Sequence, residues 1–147
     1  MFFNFIKITL MNSKILIRLA AMVMFLHVIG HTMGALTWKQ APNAKVAQVV
    51  AGMQNEHFEF MGRSVSLGNF FEGYGLINIF VLTLISALLW HISRRRDKTM
   101  LWSLTFFLAI QAGLEWVYFF PLPAVMSIVA SILCALALTR MPAQKVE

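Results

Sequence analysis

Residues 74–98 read YGLINIFVLTLISALLWHISRRRDK. The first nineteen carry no Lys, Arg, Asp or Glu, and the next six hold four cations. A helix rises 1.5 Å per residue, so nineteen residues reach about 28 Å, close to the ~30 Å of hydrocarbon in a bilayer. An apolar run of that length, closed by a block of positive charge, is the pattern of a membrane-crossing helix held at the interface by its basic end.

Three further segments share this character, at 15–36, 101–119 and 123–139. The last is short, and a thinner bilayer or a shifted boundary accommodates it. Pro121 and Pro123 break the helix between the third and fourth spans, which predicts a tight hairpin there. The composition agrees. Of 147 residues, 59% are hydrophobic and 12% charged, against about 25% charged in an ordinary soluble domain. The predicted fold is therefore an all-α integral membrane protein: a single domain, 1–147, built as a four-transmembrane-helix bundle, with an outer loop at 37–73.

The net charge of +6 would suit nucleic acid, but the position of the charges argues against it. Lys7, Lys14 and Arg18 precede the first span, Arg94, Arg95, Arg96 and Lys98 separate the second from the third, and Arg140 and Lys145 follow the fourth. Nine of the twelve cations thus fall on one side, which predicts cytoplasmic termini in a bacterial inner membrane and a loop 37–73 in the periplasm. Trp38, Tyr74, Trp116 and Tyr118 fall near the predicted outer face, and Trp90 and Trp102 near the inner one, as an aromatic belt requires. RRRDK reads as a positive-inside anchor rather than a nucleic-acid or anionic-lipid patch, and His91 beside it as an interfacial residue. The bilayer is the expected partner, with a homodimer or a membrane partner subunit as further options. At the N-terminus, Met11 has the look of a natural start, and the first helix is expected to remain uncleaved.

Within the loop, residues 43–61 read as an amphipathic periplasmic helix. Val46, Val50, Met53, His57, Phe60 and Met61 share a stripe, Asn43 stands as N-cap, and Gly62 sits where a C-terminal glycine belongs. Ser66 is positioned to cap a helix that runs straight into the second span. Met53, His57 and Met61 also suggest copper, since thioethers and imidazole suit that metal; methionine as core filler is the simpler account.

Polar residues inside the spans are costly and mark candidate sites. His27 and His31 lie on the first span, Gln111 and Glu115 on the third, and Asn78 on the second with Glu72 just above it. Counting rise from 15 and 101 puts His27 about 18 Å in, His31 about 24 Å, Gln111 about 15 Å and Glu115 about 21 Å. This predicts His27 near Gln111 and His31 near Glu115, with Asn78 in the same outer layer. Such a layer can bind a proton or a small ligand in an outward-facing pocket. Two histidines one turn apart plus a carboxylate also match a transition-metal site at His27 and His31, and either histidine could serve haem as an axial ligand. A hydrogen-bonded lock between helices is the third reading. Gly30 and Gly34 form a small-xxx-small pair suited to close helix packing.

Cys134 is the sole cysteine, which excludes an intrachain disulfide, a cysteine-rich metal motif and thiol–disulfide exchange by a cysteine pair. No Ser-His-Asp or phosphate-loop arrangement names a reaction. With HVIGHTMGALTW, FMGRSVSLGNFFEGYGL and LEWVYFFP, the chain resembles, over residues 11–140, a family of small uncharacterised bacterial four-helix inner-membrane proteins, similar in overall shape to DoxX-like proteins. The resemblance implies a stand-alone bundle and brings no activity or cofactor. The leading expectation is a non-catalytic or accessory protein with a His/Glu polar pocket and no required cofactor. A metal-, haem- or quinone-binding membrane oxidoreductase component and a structural partner subunit are the alternatives.

Overall fold

The computed structural model describes residues 12–141. Five helices and one hairpin follow in order: α1 (Ser13–Thr37), α2 (Ala44–Asn55), β1 (His57–Phe60), β2 (Arg63–Ser66), α3 (Leu67–Arg95), α4 (Lys98–Tyr118) and α5 (Pro121–Leu138). Four of the helices, α1, α3, α4 and α5, are long and apolar enough to cross a membrane. The start at Met11, and the charges of Lys7 and Lys145, lie outside the described residues.

Local chemistry sets the helix ends. The Asn12 side chain accepts from the Lys14 N–H at 3.1 Å and starts α1 two residues before the expected boundary. Asn43 caps α2 through the Val46 N–H, and Asp97 caps α4 through the Met100 N–H. Ser66 and Asn69 cap α3 reciprocally: the Ser66 N–H donates to Asn69 Oδ1 at 3.0 Å, and the Asn69 N–H to Ser66 Oγ at 3.2 Å. α3 therefore begins seven residues before the expected span and continues into it without a break. Pro121 opens α5, where a missing N–H costs nothing.

The loop departs from the expected helix at 43–61. α2 ends at Asn55, none of its residues is buried, and residues 57–66 form an antiparallel hairpin instead. Phe60 pairs with Arg63, leaving Met61 (φ 50°) and Gly62 (φ 79°) as a two-residue turn with both central φ positive. Gly62 meets a left-handed requirement, as expected, but in a hairpin rather than at a helix end. Two-residue alternation in His57-Phe58-Glu59-Phe60 accounts for the switch: it places Phe58 and Phe60 on one side, where both rings meet Phe70 of α3 at 6.3 and 5.7 Å. Met53, His57 and Met61 consequently sit on a helix, a strand and a turn, and share no stripe.

The described residues pack as two units. The first comprises 12–27 with 82–141, and the second Val28–Val81. In the first, α4 and α5 form the expected hairpin. α5 turns Ala124, Ser127, Ala130, Cys134 and Ala137 inward, while Val125, Ile128, Val129 and Ile132 stay exposed. Small residues inside and large apolar ones outside are what a helix packed in lipid shows. Ser131 Oγ donates to the Thr105 carbonyl across this hairpin, and Ser86 Oγ of α3 to the Ala21 carbonyl of α1. In the second unit, the expected packing at Gly30 and Gly34 is not seen, since a Cβ at either meets nothing within 4 Å. Close approach occurs instead at Gly68, where a Cβ would lie 3.0 Å from the Met53 carbonyl oxygen and 3.3 Å from Gln54 Cα.

Gly68→Ala should therefore push α2 away from the start of α3 at a cost of about 1–3 kcal/mol. Hydrogen exchange in detergent is expected to quicken across α2 and the hairpin and to leave 82–95 unchanged. Unaltered protection in α2 would contradict the close approach.

Candidate functional site

The polar residues of the spans divide between the two units. In the first, α1 presents His27 and α4 presents Gln111 and Glu115. His27 is 3% exposed and Glu115 6%. His27 Nε2 lies 3.6 Å from Glu115 Oε1, a contact too long for a hydrogen bond. Gln111 Nε2 donates to the same oxygen at 2.7 Å, along one helical turn. Glu115 Oε2 and Gln111 Oε1 are buried and take no hydrogen bond from a protein group among the described residues. The carboxyl is thus anchored through one oxygen and open at the other.

Rise arithmetic predicted His27 opposite Gln111. The observed partner is Glu115, one turn further along α4. On that count His27, at about 18 Å, stands midway between Gln111 and Glu115, so a relative shift of about 3 Å, half a turn, decides between them, and Gln111 stays beside the pair through its bond to the same Glu115 oxygen.

In the second unit, His31 Nε2 lies 3.2 Å from the Gly75 carbonyl oxygen and 3.4 Å from Asn78 Nδ2. The first contact needs a proton on Nε2 and the second needs a lone pair, so the tautomer selects one of them. Asn78 thus stands beside His31, the residue that the sequence reading sets near Glu115. Glu72 has a different partner: its Oε2 accepts from Lys39 Nζ at 2.9 Å, with both side chains about half exposed (46% and 49%). An exposed pair of this kind contributes about 0–1 kcal/mol. Lys39 also lies 5.4 Å from the Trp38 ring centre, and Trp38 packs 5.0 Å from Phe71, which ties the end of α1 to the start of α3.

Among the described residues, no group of three or more His, Cys, Asp or Glu side chains is placed to hold a metal ion. His27 and His31 carry their recorded contacts in different units, and His57 stands on an exposed strand with Nδ1 2.9 Å from the Asn55 carbonyl oxygen. The metal reading at His27 and His31 therefore gains no third ligand of these types.

Two features escaped the sequence. The Arg18 guanidinium lies 4.9 Å from the Trp90 ring centre, a cation–π contact from a residue that reads as a plain flanking charge. Ser127 is fully buried on α5, with a hydroxyl that bonds no protein group among the described residues. Its place in the run of small residues at 124, 127 and 130 is the one signal that marks it as inward-facing.

A double-mutant cycle with His27→Ala and Glu115→Gln should return a coupling of about 2 kcal/mol or more by thermal or denaturant unfolding in detergent. The comparison value is the ~0.6 kcal/mol average of interhelical polar contacts in bilayers. A coupling near that average would make the pair an ordinary neutral contact. Comparison with known protein families, with curated proteins and with solved structures finds no match to this chain.

Proposed function

We propose that this chain is a small multi-pass membrane protein of the non-catalytic or accessory kind, whose His27–Glu115–Gln111 cluster holds a proton or a small polar ligand within the span. Glu115 carries the reading. Its carboxyl is buried on an apolar helix, with one oxygen held by Gln111 and faced by His27, and the other without a protein hydrogen bond among the described residues. A purely structural lock is served best by satisfying both oxygens, because a buried acceptor left unmet costs about 1–3 kcal/mol. An open acceptor beside an imidazole suits a group that arrives and leaves, and the proton is the smallest such group.

The bacterial inner membrane, the inward termini and the resemblance to small four-helix inner-membrane proteins belong to the same proposal. They rest on the nine cations gathered on one side and on the quoted motifs. In a Cys134→Ala background, Met61→Cys should react with a membrane-impermeant maleimide on spheroplasts, and Arg95→Cys only after the membrane is opened. The opposite pattern would invert the topology.

Infrared difference spectroscopy on protein in mild detergent tests the site. Lowering the pH should raise a carboxylic acid C=O band that is missing in Glu115→Gln and altered in His27→Ala. A folded protein without a pH-responsive band from Glu115 would return the cluster to the structural lock. A visible absorbance band, or about one metal per chain lost in His27→Ala, would replace the proton by a cofactor.

A further inference from the structure

An open groove runs along one face of α4, lined by Lys98, Thr99, Trp102, Ser103 and Phe106, with room for about 600 Å³. The helix's buried residues, Leu101, Leu108, Ala112 and Glu115, fall on the other side of its circumference. The groove changes character along its length. Lys98 and Thr99 supply an ammonium and a hydroxyl at one end, Ser103, whose hydroxyl donates to the Thr99 carbonyl at 3.2 Å, lies level with Trp102, and Phe106 lies about 12 Å beyond Lys98 along the span. Trp102 and Phe106 are each 59% exposed.

The polar end sits in a field of unbalanced charge. Arg94, Arg95, Arg96 and Lys98 stand against Asp97 alone, and the Asp97 carboxylate is engaged as the N-cap of α4. Arg96 adds a second observation. Its φ is 55°, a left-handed conformation that glycine adopts freely and an arginine holds at a cost, and its N–H closes α3 on the Ile92 carbonyl at 2.7 Å. A glycine would end the helix with less strain, and the arginine instead adds a cation at this end.

We propose that this groove binds one anionic phospholipid, with its phosphate against Lys98 and Thr99 beside Arg96, and an acyl chain along Trp102 and Phe106. The charge fits an anion and the long axis fits an amphiphile. A soluble polyanion can reach Arg94–Lys98 but has no use for Phe106, which lies eight residues into a helix fit to cross hydrocarbon. A diffuse electrostatic anchor needs the cations and no groove. The site is independent of the His27–Glu115 reading and of which leaflet the basic end occupies.

Native mass spectrometry of the full chain in mild detergent, titrated with phosphatidylglycerol or phosphatidylcholine, tests this. One phosphatidylglycerol per chain should be retained in preference to phosphatidylcholine. Lys98→Gln should weaken it about fivefold, the factor given by one cation near a membrane surface. Phe106→Ala should weaken it as well, while Arg94→Ala, which removes the same charge outside the groove, should change it less than Lys98→Gln does. Inorganic phosphate at equal concentration should not displace it. Equal affinity for the two lipids overturns the proposal. So does an Arg94→Ala effect equal to that of Lys98→Gln, or a Phe106→Ala variant that binds like the parent.

Discussion

A helix in hydrocarbon has no water to complete its backbone hydrogen bonds, so each crossing segment closes its own ladder and leaves only its ends open. That constraint organises this chain. The open ends are met by side chains at Asn12, Ser66 with Asn69, and Asp97. Hydroxyls within the spans mostly turn back on their own helix, Thr32 to the Val28 carbonyl and Thr105 to the Leu101 carbonyl, four residues behind. Few polar side chains reach a second helix, and those that do stand out against an apolar background. Ser86 and Ser131 reach one carbonyl each. Within the spans, the contact of His27 with Glu115 joins two titratable groups.

The energetic weight of those contacts follows from burial. Lys39 and Glu72 make the shorter ion pair, at 2.9 Å, yet water screens it. His27 and Glu115 are further apart but almost wholly buried, so the state of one bears directly on the other. Distance alone would rank the two pairs the wrong way round. The surrounding medium decides, and it strengthens the interaction of the buried pair.

The four spans were legible because length and apolar content are properties of a segment by itself. The cap at Asn43, the cap at Ser66 and the break at Pro121 were legible for the same reason. The loop after Asn55 was not: its 57–61 stretch carries apolar residues that fit a helical stripe, and Phe70, a residue outside the stretch, draws Phe58 and Phe60 to one side of a strand. The polar residues of the spans were readable as a set, while their partners were not. Pairing His27 with Glu115 rather than Gln111 depends on stagger between two helices, a quantity absent from either segment. Glu72 went to Lys39 because an exposed cation at the end of α1 reaches it, which hydropathy does not register.

The inward face of α5, with Ala, Ser and Cys inside and Val and Ile outside, reverses the usual relation between residue size and sequence freedom. In a water-soluble core, trimming a large side chain does the damage, and the outer face tolerates almost any polar residue. On α5 the inner positions are already near the minimum of volume, so they can drift only among the few smallest residues. The outer positions have to remain greasy and little else, and Val, Ile, Leu and Phe are interchangeable there. The information that specifies the α4–α5 pair is therefore carried by its least conspicuous residues.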